Sequence, residues 1–225
     1  PLSSTRPAPH PATLDDVPDA ALDAWTKEGF DLIWLLGVWQ TGPAARRVSA
    51  TKPEWQAEFR RALPDFSAED VCGSCFAVQD YRVHAAFGGD ESLARLRVRL
   101  AARGLRLILD FVPNHTAPDH PWVNGHPEYY VSGTDAQLSA QPQNYCRGGG
   151  GRIIAYGRDP YFDGWPDTLQ LNYANPALQE AMGRELLRVA AQCDGVRCDM
   201  AMLVLPEVFE RTWGLRAEPF WPRVT

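Results

Sequence analysis

Three times along this chain of 225 residues, a helical pattern ends on a helix stop and runs into a short apolar segment. That repeated order constrains the fold more than any other feature. Pro18 to Glu28 carries Ala21, Leu22, Ala24 and Trp25 at helical spacing with Gly29 as the stop, and Phe30 to Val38 follows as a near-continuous apolar run. Asp90 to Arg103 repeats the pattern through Leu93, Leu96 and Leu100, stops at Gly104, and leads into Leu105 to Val112, which Pro113 ends. The span from about Pro176 to Gln192 turns Leu178, Met182, Leu186, Leu187 and Val189 inward, and Gly195 to Cys198 is the third strand. Strands that are apolar throughout are buried on both faces, so the order predicts an α/β fold: a parallel sheet covered by helices. The connections after the first two strands are roughly fifty and sixty residues long, far beyond ordinary βα loops. Long loops after strand C-termini are where barrel and open-sheet enzymes place their sites.

Composition narrows the class. With 45% hydrophobic residues the chain can bury a sizeable core, which excludes collagen-like and disordered proteins. The longest apolar run, Phe30 to Trp39, is interrupted by Asp31 and is too short to cross a bilayer, so no membrane partner is expected. A net charge of -6 without a basic block argues against nucleic acid. Arg95, Arg97, Arg99, Arg103 and Arg106 lie on the second helix and its exit, where a solvated face is expected. Cys72-Gly-Ser-Cys75 has metal or redox spacing but lacks a second pair, so free thiols in a reducing, cytoplasmic compartment are expected. Residues 1 to 17 hold no strand-like run and no apolar leader segment.

Chemistry gathers at two strand ends. Asp110-Phe111-Val112-Pro113-Asn114-His115 sets three polar, ligand-orienting groups just past a buried strand. In Gly195-Val196-Arg197-Cys198-Asp199, Arg197 and Asp199 alternate with apolar neighbours and so share one side of the strand. A buried charge must be paired, and the guanidinium favours the ionised carboxylate that a nucleophile needs. Either segment alone reads equally well as structural: a turn cap in the first, an ion pair at a strand end in the second.

Together and in this order, the segments resemble the α-amylase superfamily of glycoside hydrolases. Asp-x-x-x-Asn-His is similar to that family's motif after barrel strand three, and Gly-x-Arg-x-Asp to its motif at strand four. Gly29 to Leu35 resembles the strand-two segment, Leu169-Gln170-Leu171-Asn172 the short motif in the loop domain with Gln170 where Asp is more usual, and Asp80-Tyr81 with Phe87-Gly88 the approach to the third helix. The resemblance implies a partial (β/α)8 TIM barrel, strands two to four, with a small loop domain inserted after strand three. Residues 1–112 would begin the barrel, 113–172 would form the inserted domain, and 173–225 would resume the barrel.

The same resemblance implies a retaining double displacement on α-glucosidic linkages, in an α-glucan, oligosaccharide or small α-glucoside. Asp199 would be the nucleophile and Arg197 its partner. His115 and Asp110 would bind or support the sugar, Phe76 would stack where members commonly have Tyr, and Asn114 would be structural, a calcium ligand in some members. Met202 to Leu205 stand where calcium-binding members often carry Lys-His, which puts calcium in question. The family's acid/base Glu comes from strand five, beyond Thr225, so the isolated chain is expected to be inactive. Glu207 is read as a helix N-terminal residue and not as that acid. Trp122, Tyr129, Tyr130, Tyr161, Phe162 and Trp165 suit sugar faces or packing, with packing expected for most. The alternatives are a non-catalytic sugar-binding or interaction module on the same scaffold, a barrel hydrolase with a metal at Asp110 and His115, and a metal cluster of His120, His126 and Asp119.

Overall fold

The computed structural model describes residues 12–225. The eleven preceding residues, which belong to the leading segment where no strand was expected, lie outside the described residues. Helix α1 (Asp19–Lys27) leads to strand β1 (Leu32–Leu35), followed by β2 (Trp39–Thr41), α2 (Pro43–Thr51), α3 (Pro53–Ala62) and β3 (Val78–Val83). Helix α4 (Gly89–Ala101) precedes β4 (Arg106–Phe111). Between β4 and the next long helix lie β5 (His115–Thr116), α5 (Trp122–Gly125), α6 (Asp135–Ala140), β6 (Tyr145–Arg147), β7 (Ile153–Ala155) and β8 (Leu169–Gln170). Helix α7 (Pro176–Ala191), β9 (Gly195–Cys198), α8 (Pro206–Trp213) and α9 (Trp221–Val224) complete the order.

Strands β1, β4 and β9 form a parallel sheet in the order β1-β4-β9, with Leu32 opposite Arg106 and Asp110 opposite Arg197. The three helix-strand units expected from the sequence are these, displaced by up to three residues at their ends. The remaining pairs are antiparallel: β2 with β3, β5 with β8 and β6 with β7. The long connection after β1 therefore holds two helices and a strand pair that the sequence reading left as loop.

Burial follows position in the sheet. In the central strand, Leu107, Leu109 and Phe111 are fully buried in the same core as Leu93, Leu96 and Leu100 of α4 and Leu178, Met182 and Val189 of α7. Two expectations are corrected here. Strand β1 is not buried on both faces: Leu32 and Trp34 are 43% and 44% exposed, because among the described residues β1 is an edge strand whose open face no element covers. Leu187 does not point inward but is exposed, since the helix surface that packs on the sheet is taken by Leu178, Met182, Leu186 and Val189.

The arginines of α4 also depart from a purely solvated face. Arg95 pairs with Asp15 at 2.7 Å, Arg99 with Asp19 at 2.8 Å and Arg103 with Asp23 at 2.6 Å. Each pair joins residues eighty apart, so one-turn steps along α1 and its lead-in match one-turn steps along α4. Arg97 instead pairs with Asp194 before β9. Among the described residues, no helix is long and apolar enough to cross a membrane.

Candidate active site

The C-terminal ends of β4 and β9 carry the polar groups. Parallel register puts Asp110 beside Arg197, and the two-residue period of a strand puts Asp199 on the same side. Arg197 Nη1 donates to Asp199 Oδ1 at 2.6 Å and to Asp110 Oδ1 at 3.3 Å. The second oxygen of Asp110 accepts the backbone N–H of Gly37 at 2.7 Å. Asp110 is thus a fully occupied, 1% exposed carboxylate that anchors the guanidinium. It does not line the open cleft, so it supports the site from beneath.

Aromatic faces complete the clamp on Arg197. Its guanidinium lies 5.0 Å from the ring centre of Trp34 and 5.5 Å from that of Phe76, a cation–π sandwich. Asp199 donates its backbone N–H to Phe111 O at 2.8 Å, which fixes it to the end of β4. The next residue, Met200, has φ 48 and is the only non-glycine with positive φ among the described residues. That strained turn sends the chain sharply away after Asp199 and leaves the carboxylate at the cleft.

The electrostatics of Asp199 differ from the sequence expectation. Burial raises its pKa above the ordinary carboxylate value, and Arg197 opposes that shift without overcoming it. The guanidinium lowers the pKa as anticipated, but desolvation is the larger effect. His115 is buried, and desolvation takes its pKa down to about 4 against a hydrogen bond with the Phe76 backbone. It is therefore a neutral imidazole at pH 7, edge-on to Trp165 at 5.4 Å.

Asn114 is fully buried and hydrogen-bonded within the protein. Its Oδ1 and backbone carbonyl both accept from Gln170 Nε2 at 3.0 Å, while its amide meets His115 Nδ1 at 3.3 Å. Calcium does not fit these donors: Gln170 brings N–H groups and no negative charge to the oxygens that a hard cation would need. Nor does the His120, His126 and Asp119 cluster assemble. His120 accepts from the Trp122 N–H, His126 pairs with Glu128, and Asp119 caps α2 through the Ala44 N–H at 2.8 Å. No group of three or more metal-ligating side chains occurs among the described residues.

A cleft of about 670 Å³ opens beside Asp199, and Phe76, His115 and Trp165 share its wall. The reading from sequence missed Trp34, Gly37 and Asp167. Trp34 was detectable, because it alternates in phase with Leu32 on a strand that continues towards the site. Nothing local marks Gly37 or Asp167. Tyr129 and Tyr130 are packed in the core, as expected for most of the aromatics, whereas Tyr161 and Phe162 are exposed. All five cysteines are free, including Cys72 and Cys75.

A parallel α/β half-sheet with an Arg-clamped carboxylate at its strand ends defines a class, and comparison with known proteins identifies it. The family model for the α-amylase catalytic domain matches residues 27–213, and the chain belongs to that family. It is 31% identical over 169 residues to the trehalose synthase/amylase TreS of Mycobacterium tuberculosis, covering 66% of this chain and 26% of that protein. It is 30% identical over 154 residues to an alpha-glucosidase of Culex pipiens, 63% of this chain and 25% of the relative. A 27% match over 147 residues to the amino acid transporter heavy chain SLC3A1 of Rattus norvegicus covers 58% and 21%. Among solved structures, an alpha-amylase from Lactobacillus plantarum superposes with TM-score 0.60 at 24% identity, over 89% of this chain and 37% of that one. The chain spans about a quarter of the length of the curated relatives it matches.

Proposed function

We propose that this chain carries the nucleophile half of a retaining α-glucoside-active enzyme, a hydrolase or transglycosylase. The observation that carries this reading is the Asp199–Arg197–Asp110 clamp, with Asp199 alone of the three lining the cleft. A carboxylate oxygen of Asp199 attacks C1 of the glycone, and the bond from C1 to the leaving oxygen breaks as an acid protonates that oxygen. Water or a sugar hydroxyl then displaces the ester, returning Asp199 as carboxylate. Arg197 holds the attacking oxygen in place, and neutral His115 offers a hydrogen bond to a sugar hydroxyl. Phe76 presents its ring to the same space.

In retaining enzymes the acid stands about 5–5.5 Å from the nucleophile. Asp110 is sequestered by Gly37 and Arg197, and Glu207 sits in the first turn of α8. The acid is proposed to come from outside these residues, so the 225-residue chain alone is expected to turn over no aryl α-glucoside. Residues 113–172 are proposed as the segment that walls the site, flanked by barrel segments 1–112 and 173–225. The match to a transporter heavy chain favours a second reading, a non-catalytic module, since this scaffold also occurs in a protein of that name.

One experiment separates the two. The full-length protein is incubated with a fluorinated α-glucosyl fluoride, whose ester forms faster than it hydrolyses, and the label is mapped by mass spectrometry. Label on Asp199, with turnover reduced about 10⁴-fold or more by Asp199→Asn, supports the enzyme. Full activity in Asp199→Asn removes the nucleophile assignment.

A further inference from the structure

Resting on that reading, we infer that the cleft beside Asp199 selects an uncharged, apolar aglycone, an aryl or alkyl leaving group, over a second sugar. The lining of the cleft divides by chemistry. Its polar part is Asp199, His115, Thr168 and Asp167. Asp167 is only 5% exposed, faces the cleft, and accepts no hydrogen bond from another described residue's side chain or backbone. With the Lys52 ammonium acting on it through space, this carboxylate still has oxygens that can accept from a glycone hydroxyl.

Its apolar part is built by α3. Trp55, Phe59 and Leu63 follow one another at four-residue steps, so they lie along one face of the helix and its exit. That face faces the cleft together with Phe66, whose ring sits 5.6 Å from that of Phe59. Helix α3 has no fully buried residue, so these side chains do not serve the core. An amphipathic helix that turns an apolar stripe to an open cleft presents a binding wall.

A second sugar would need donors and acceptors around its rim. The acidic groups beside the apolar part are Glu58 and Asp70, and one Asp70 oxygen, Oδ2, already accepts the Ser67 N–H at 2.7 Å and its hydroxyl at 3.0 Å. No Lys or Arg lines the cleft, and the nearby Lys52, 5.1 Å over the Trp55 ring, already acts on Asp167, so an anionic aglycone would meet carboxylates with little counter-charge to spare. The volume holds a monosaccharide with a phenyl or short alkyl group beyond it.

The test is calorimetric titration of the full 225-residue chain with phenyl α-glucoside, butyl α-glucoside, maltose and glucose 1-phosphate. Phenyl α-glucoside should bind at least about tenfold tighter than maltose, with the butyl compound between them and the phosphate without measurable affinity. Leu63→Asp and, independently, Phe59→Asn should bring the phenyl-to-maltose ratio close to one. Leu63 is exposed, so its substitution leaves the core intact. Equal or tighter binding of maltose, a ratio unmoved by both substitutions, or no phenyl α-glucoside binding at millimolar concentration would each overturn the inference. Loss of covalent capture at Asp199 with the aryl preference intact removes the catalytic reading alone. Capture at Asp199 without the preference removes the cleft assignment alone.

Discussion

At the scale of single residues, the site is organised around one guanidinium. Arg197 makes hydrogen bonds to two carboxylates while two aromatic faces hold its plane, so removing either face loosens both contacts. Trp34→Leu deletes a cation–π contact worth about 0.5–2 kcal/mol. A less firmly held cation opposes the burial of Asp199 less well, which raises the carboxyl pKa further. In the active enzyme proposed above, the acid limb of the rate–pH profile should therefore move to higher pH, with kcat falling more than KM rises. A profile identical to wild type would show that Trp34 plays no positioning part. The pair itself was readable from Gly-x-Arg-x-Asp, because strand alternation puts Arg197 and Asp199 on one side. The net rise in the Asp199 pKa was not readable, since it depends on how many atoms from distant segments exclude water from that oxygen.

At the scale of elements, Gly37 joins β1 to the site. Its φ of +58 is a backbone state few L-residues adopt, and a Cβ there would stand 2.4 Å from the Cys75 Cβ. Gly37→Ala should lower stability by about 2–4 kcal/mol in chemical denaturation and release the N–H that holds Asp110. The double variant with Cys75→Gly should recover part of that loss by relieving the clash but not the backbone strain. No recovery would place the whole cost in the backbone. The helix-strand units were legible because periodicity, Pro starts and Gly stops agree, as in Asp90 to Gly104. The α2–α3 pair was not, although Pro43 and Pro53 mark both starts. The apolar residues of α3 face a cleft, and α2 buries only the small side chains Ala45 and Ser49, so the pattern lacks the large buried residues that make helices obvious.

At the scale of the whole molecule, burial of two histidines sets a pH dependence. His115 and His120 are both lowered from 6.5 to about 4 by desolvation. Their stabilisation is therefore complete above pH 6.5 and is lost as pH falls towards 4, where the unfolded chain takes up protons that the folded one refuses. Each contributes a slope of up to about 1.4 kcal/mol per pH unit in that window. The raised carboxyls Asp167, Glu185 and Asp199 act in the opposite direction, because folding favours their protonation. His120→Asn, which keeps an acceptor for the Trp122 N–H, should flatten the slope between pH 6.5 and 4.5; an unchanged slope would remove His120 from the account. The open face of β1 adds a second expectation: Leu32, Trp34 and Leu36 are exposed beside a strand edge with no partner among the described residues, so the 225-residue chain should self-associate in sedimentation. A monomer with a sharp unfolding transition would argue otherwise. The ladder of Arg95, Arg99 and Arg103 on Asp15, Asp19 and Asp23 carries a different consequence, for inheritance. Because all three rungs share one offset, losing or gaining a single codon between the two helices' charged rows puts none out of line, whereas the same change inside either row shears the rungs apart. Lineages of this protein should therefore vary in length across the long loop and keep the spacing within these two helices fixed.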